Sequence, residues 1–200
     1  MAALALSLAV LYAVALFGVG EVAQRRRTGV AGWVRSANSP EHVANILVFA
    51  AWLLAMLGPA LVLAGVAEPW FSGSAAVAAG IVVSCASLAG AVLAQQTMGS
   101  AWRAGIDPAH PSGLVTRGVF ALVRNPVYTT MIGLAIGVWL LAPTAAGALA
   151  VVVCVAGLEI QTRAVEEPYL RQLHGEAYAR YAAETGRFLP AIGRLQDPSR

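Results

Sequence analysis

Arg163, Glu166 and Glu167 stand at the end of a long apolar run, a depth at which ionisable side chains usually line a cavity or a path. Arg163 and Glu167 are four apart, so on a continuous helix they share a face and can pair. Pro168 disfavours helical geometry at the residue before it, so a bend at Glu167 would turn that carboxylate inward. A guanidinium can orient a carboxylate through two parallel hydrogen bonds, and a carboxylate can accept a proton from a neutral nucleophile. The same pair also fits a plain salt bridge where a helix leaves the membrane, with the arginine snorkelling outward. A second polar block, Arg124-Asn125-Pro126-Val127-Tyr128, opens another apolar run. Pro126 suits a first helical turn, the free N–H groups of such a turn favour anions, and Asn125 offers donors and an acceptor to the edge of a heterocycle. Its purely structural counterpart is a helix cap flanked by interfacial Arg and Tyr anchors.

The elements that must position these residues are membrane helices. The chain has 200 residues, 58% of them hydrophobic and only 12% charged, with a mean hydropathy of +0.70. Soluble domains carry about 25% charged residues. A span needs roughly 20 apolar residues, and Ala2 to Gly20, Val43 to Ala67 and Ser74 to Ala94 each supply that without a charge. The charge-free run from Asn125 to Leu158 corresponds to ~50 Å of helix against a hydrocarbon core of ~30 Å. Ala142-Pro143-Thr144 interrupts its middle, where proline removes a donor and clashes with the preceding turn. Two short helices joined there make a hairpin that returns the chain to its starting side. The two polar blocks can then close one pocket.

The fold expected is therefore all-α, a single polytopic membrane domain over residues 1–200. Its five transmembrane helices are expected at about 2–21, 43–66, 74–94, 127–142 and 144–162. All thirteen basic residues are arginine. With five spans and the N-terminus outside, every one falls on the cytoplasmic side, as basic residues in short loops do; with four spans, the six in the tail would lie outside. The expected location is the inner (plasma) membrane, with the C-terminus and the active site cytoplasmic. The first run lacks the positive residues that precede a secretory signal, and its arginines follow it instead. Glu166 to Tyr181 reads as one amphipathic helix on the cytoplasmic face, with Tyr169, Leu170, Leu173, Tyr178 and Tyr181 on its apolar side. The net charge of +3 fits membrane topology and anionic headgroups rather than nucleic acid. Cys85, Cys154 and the isolated histidines form no metal-ligand pattern, so no metal is expected. Ser84, Ser87, Gly90 and Ala94, and Gly133 with Gly137, form small-residue stripes that let helices approach closely.

The combined motifs are more specific than any one of them. Gly118-Val119-Phe120-Ala121-Leu122-Val123-Arg124-Asn125-Pro126-Val127-Tyr128 is followed by Arg163-x-x-Glu166-Glu167-x-x-Leu170, then Gly175-x-x-Tyr178-x-x-Tyr181 and Arg187-Phe188-Leu189-Pro190. Together they resemble the isoprenylcysteine carboxyl methyltransferase family, in its small prokaryotic form, a family related to the phospholipid N-methyltransferases. The resemblance spans roughly residues 90 to 190. It implies S-adenosylmethionine as methyl donor, with S-adenosylhomocysteine as product, bound without a Rossmann domain by about residues 95–128 and 159–190. Leu114, Val115, Arg124, Asn125, Pro126, Tyr128, Glu166, Tyr178 and Tyr181 would border the cofactor. Arg163 and Glu167 match the family's catalytic pair. Eukaryotic members carry histidine where this chain has Asn125, which cannot gain charge.

By the same resemblance a lipophilic substrate would enter from the bilayer among the membrane lipids. Carboxyl O-methylation of an isoprenoid- or lipid-like acid is expected, with N-methylation second. A sterol-reductase-like enzyme using NADPH shares a related tyrosine pattern and an Arg-Asn-Pro segment, and a non-enzymatic transporter or resistance protein on this scaffold is the other alternative.

Overall fold

A computed structural model describes residues 1–29, 39–99 and 113–196. The described residues are helical, with no strands beyond two isolated bridges. The first helix starts as α1, Ala2–Ala13, passes through a π turn at Val14–Val19 and continues as α2, Gly20–Thr28. Then come α3, Ser39–Leu63; α4, Ser74–Met98; a 3-10 turn at Gly118–Ala121; α5, Pro126–Leu141; and α6, Ala145–Ile160. A second π turn, Gln161–Glu166, joins α6 to α7, Glu167–His174, and α8 covers Glu176–Glu184.

Side-chain size explains the packing. Helix α3 buries Ala44, Ala51, Ala55 and Gly58, while Ile46, Phe49, Leu53 and Leu57 point outward. Large residues outside and small ones inside is the pattern of helices solvated by lipid, where close backbone approach drives association. Ser84 and Ser87 of α4 meet Gly137 and Gly133 of α5 in this way, joining the two small-residue stripes. Likewise Gly157 of α6 faces Leu47, Val48 and the Ala44 carbonyl of α3. Helices α1, α3 and α6 flank α5, whose Met131, Leu134, Val138 and Leu141 lie in the common core.

Among the described residues, four helices are long and apolar enough to cross a membrane: Ala2–Arg26, Ser39–Leu63, Ser74–Met98 and Ala145–His174. The expected fourth span, α5, is a shorter apolar helix. The chain does break at 142–144 as the proline dictates: α5 ends at Leu141, and Thr144 caps α6 by accepting from Gly147 N at 3.2 Å. At that end Trp70 N donates to the Pro143 carbonyl at 2.8 Å.

The expected single helix from Glu166 to Tyr181 is two. Gly175 adopts φ 53°, in the left-handed region that glycine enters without penalty, and separates α7 from α8. The two parts present different faces: Tyr178 is buried, Tyr169 and Leu170 are half-buried, and Leu173 is exposed. Asn38 and residues 100–112, which include Trp102, Asp107 and His110, lie outside the described residues.

Candidate functional site

The start of α5 and the C-terminal tail are stitched together by backbone and side chains. Arg124 N donates to the Gly186 carbonyl at 2.8 Å and Asn125 N to the Arg187 carbonyl at 3.1 Å, extending a parallel bridge between Val123 and Gly186. The Asn125 side chain also donates to the Arg187 carbonyl, at 3.3 Å, instead of capping α5. Thr129 Oγ1 reaches the Phe188 carbonyl at 2.7 Å, and Tyr128 packs edge-on against Phe188. The tail turns back so tightly that a Cβ on Gly186 would sit 2.8 Å from Ala191 N.

Inside this seam lies a buried ionic clasp. Arg124 Nη2 donates to Glu167 Oε1 at 2.9 Å and to the Gly193 carbonyl at 2.9 Å. Its Nη1 donates to the carbonyls of Ala182, at 3.0 Å, and Thr185. Arg187 grips the same carboxylate with two nitrogens, Nε to Oε1 at 2.8 Å and Nη2 to Oε2 at 3.2 Å. The Glu167 carboxylate raises the affinity of Arg187 for its proton. Tyr178 is buried beside the clasp, and burial, reinforced by the negative charge of Glu167, pushes its hydroxyl up to about 12. Tyr181 Oη donates to the Phe120 carbonyl at 2.6 Å, pinning α8 to the 3-10 turn.

The expected Arg163–Glu167 pair is not formed. Arg163 pairs with Glu159 and its side chain is 62% exposed. The cause is the π turn at Gln161–Glu166, which adds a residue to the helical turn and rotates Glu167 away from Arg163. Glu167 keeps helical dihedrals and its N–H bonds to the Thr162 carbonyl, so Pro168 produces no bend there. The two residues are still linked, because Arg187 Nη1 lies 3.7 Å from Glu159 Oε2. Charges thus alternate Arg124, Glu167, Arg187, Glu159, Arg163 from the buried interior to the exposed rim.

Beside the clasp is a second cluster. Tyr128 Oη and Gln161 Nε2, the latter at 3.3 Å, both donate to Glu166 Oε1. The five-residue spacing of Gln161 and Glu166 is again the register of a π turn, a feature often found at functional sites. Of the residues expected around a cofactor, the structure gathers Arg124, Asn125, Pro126, Tyr128, Glu166, Tyr178 and Tyr181 at this end of the bundle. It spends the Arg124 side chain on the clasp. Leu114 and Val115 are half-buried in the irregular stretch before the 3-10 turn. Glu159, Gln161 and Arg187 were not singled out from the sequence as site residues. Arg187 stood in the Arg-Phe-Leu-Pro motif and Glu159 is the charge that ends the long apolar run, so both had a signal. Gln161 had none.

A family model for phospholipid methyltransferases (PEMT) matches residues 71–177, more than half of the chain and the part that carries α4 to α7. The chain belongs to the phospholipid methyltransferase family. No curated protein matches it. The matched segment brings Arg124, Tyr128, Glu166 and Glu167 into the family's domain and leaves α1 to α3 and the tail from Tyr178 outside it. Membrane methyltransferase chemistry follows from the family, in keeping with the resemblance of the motifs.

Proposed function

We propose that this chain is a five-span methyltransferase of the inner membrane. It would use S-adenosylmethionine and act on a lipophilic acceptor at the cytoplasmic face. The observation that carries the reading is the seam itself, which draws the first turn of α5, the end of α6 and the tail around one group of buried polar side chains. Orphaned buried atoms there fit a polar cofactor: Gln161 Oε1, Thr162 Oγ1 and Arg124 Nε have no hydrogen-bond partner, and such atoms are costly unless something meets them. Tyr128, Glu166, Gln161 and Tyr178 would hold the cofactor, with Asn125 and the Leu114-Val115 segment at its border. When bound, S-adenosylmethionine supplies an electrophilic methyl group on sulfur.

The residues of this chain supply alignment and a dry site, which can account for most of the acceleration of such a transfer. An acceptor carboxylate needs no base, only a cation to orient it. Arg163, on the exposed rim with Glu159 as its partner, is placed to do this bidentately. Glu167 then acts one step removed, by holding Arg187 and through it Glu159. This supports carboxyl O-methylation of an isoprenoid- or lipid-like acid. The arginines of the described residues near this end support a cytoplasmic side for it. Mass spectrometry of the purified protein tests the reading: co-purified S-adenosylhomocysteine, and transfer of labelled methyl from S-adenosylmethionine into a lipid extract, are expected. Binding of NADPH in their place would overturn it in favour of a reductase.

A further inference from the structure

The tail folds back at Leu189-Pro190-Ala191-Ile192, and this turn is apolar and exposed throughout. Leu189 is 53% and Ile192 63% exposed, with Pro190 and Ala191 exposed between them. It is not a frayed end. Ile192 N donates to the Leu189 carbonyl at 3.1 Å and Arg187 N to the Ile192 carbonyl at 2.7 Å, closing the turn from within. Its incoming arm is held where Thr129 donates to the Phe188 carbonyl, and its outgoing arm where Leu195 N donates to the Ala182 carbonyl at 2.9 Å. Proline followed by a residue of positive φ is the pattern of a type II turn, whose third position favours glycine or asparagine. Here that position is Ala191, at φ 65°, the one non-glycine residue of positive φ among those described. Turns that face water draw on glycine and polar residues; this one holds a methyl group on a strained backbone instead.

The depth of the turn follows from what its arms grip. Phe188 packs on Tyr128 and its carbonyl is held by Thr129, so the turn stands beside the first turn of α5. That helix has 16 residues, ~24 Å of rise against a hydrocarbon core of ~30 Å. Such a mismatch is met by thinning the bilayer or by the segments that flank the helix. Non-helical backbone does not enter hydrocarbon with its polar groups bare, which limits the turn to the boundary between headgroups and acyl chains. The carbonyls of Gly186, Arg187, Phe188, Leu189, Ile192 and Gly193 are already partnered. Arg194, exposed just beyond the tip, suits anionic headgroups. We propose that the Leu189–Ile192 turn inserts into the inner leaflet at that boundary, continuing the lipid-facing surface of the helices, and that this contact holds the tail closed along the seam. The turn lies outside the family-matched segment. The proposal rests on the five-span topology of the reading above and not on its cofactor.

The test uses the full chain in nanodiscs of phosphatidylethanolamine and phosphatidylglycerol. With Cys85→Ala and Cys154→Ala as background, and melting curves to verify folding, a spin label is attached through Ile192→Cys. Reference labels come from Phe49→Cys on the exposed face of α3 and Arg180→Cys on the exposed side of α8. Relaxation by oxygen against an aqueous nickel chelate reads depth. The label at position 192 is expected to favour oxygen, as at position 49, and not the chelate, as at position 180. Relaxation by the chelate overturns the proposal; shielding from both reports contact with a second copy of the chain and overturns it too. Trypsin gives a second reading without any cysteine change. Leu189→Ser combined with Ile192→Ser should raise cleavage after Arg187 severalfold, whereas Leu189→Ile combined with Ile192→Leu should leave it unchanged. Equal cleavage in both variants and the wild type overturns the proposal. Lipid contact at position 49 with an aqueous label at position 192 leaves the topology standing, and loss of lipid contact at both removes the topology as well. Failure to bind S-adenosylhomocysteine defeats the methyltransferase reading alone, and the depth of the turn is still decided.

Discussion

Glu166 and Glu167 are neighbours in sequence and opposites in circumstance. Glu167 is held by two guanidinium groups through three hydrogen bonds; Arg124 also donates to the carbonyls of Ala182, Thr185 and Gly193, and Arg187 reaches Glu159. Among the described residues Glu166 meets a phenol and an amide and no cation. A charge whose partners are all internal organises the fold, whereas a charge left short of partners is available to a ligand. The adjacent positions of RxxEE thus divide two tasks, one closing the tail over the helix ends and the other facing what the closure encloses.

The largest effect expected from breaking this contrast is at Glu167. Glu167→Ala strands two buried guanidinium groups and should cost about 3–5 kcal/mol; thermal denaturation in detergent measures it, and limited proteolysis should show the segment 185–196 released. Gly186→Ala, which forces a Cβ against Ala191 N, should loosen the same seam by about 1–3 kcal/mol, as overpacking does, with Glu167 itself intact. Tyr128→Phe removes one of the two donors to Glu166 and should cost about 1–3 kcal/mol, visible as a lower melting temperature without release of the tail.

The pair Arg163 and Glu167 sharpens the contrast further. Arg163→Ala should change stability by less than about 0.5 kcal/mol, the scale of an exposed ion pair, yet abolish methyl transfer. A variant that melts normally and turns over normally would remove Arg163 from the acceptor site. The contrast also depends on pH. Tyr178 must stay protonated while buried, and its folded value of about 12 lies above the ordinary 10. Its contribution is therefore complete below pH 10 and is lost as pH rises towards 12. Denaturation between pH 9 and 12 should show this fall, and Tyr178→Phe should flatten it.

What the sequence made legible follows from the range of the forces involved. Hydrocarbon thickness acts on every residue of a run, so the apolar helices and the break at Pro143 could be read directly. The small-residue stripes of Ser84, Ser87, Gly133 and Gly137 marked faces for close packing, because in lipid size selects what can approach; that the two meet each other is seen only in the structure. The π turn at Gln161–Glu166 could not be read, since one added residue in a turn is settled by tertiary packing and leaves no periodic mark. That single insertion explains why the Arg163–Glu167 spacing misled and why Gln161 was missed. Gly175 shows the opposite lesson. Its composition signalled a break, but the amphipathic pattern around it appeared continuous, and α7 and α8 follow the glycine.

The most direct test of the central claim, that the seam encloses a binding site for the methyl donor, is the melting temperature of the detergent-solubilised chain titrated with S-adenosylhomocysteine or NADPH. A ligand at 100 times its Kd adds about 2.7 kcal/mol of stability. The account predicts a saturable rise with S-adenosylhomocysteine and none with NADPH. A melting temperature that S-adenosylhomocysteine leaves unmoved at millimolar concentration, or that NADPH raises instead, would contradict it.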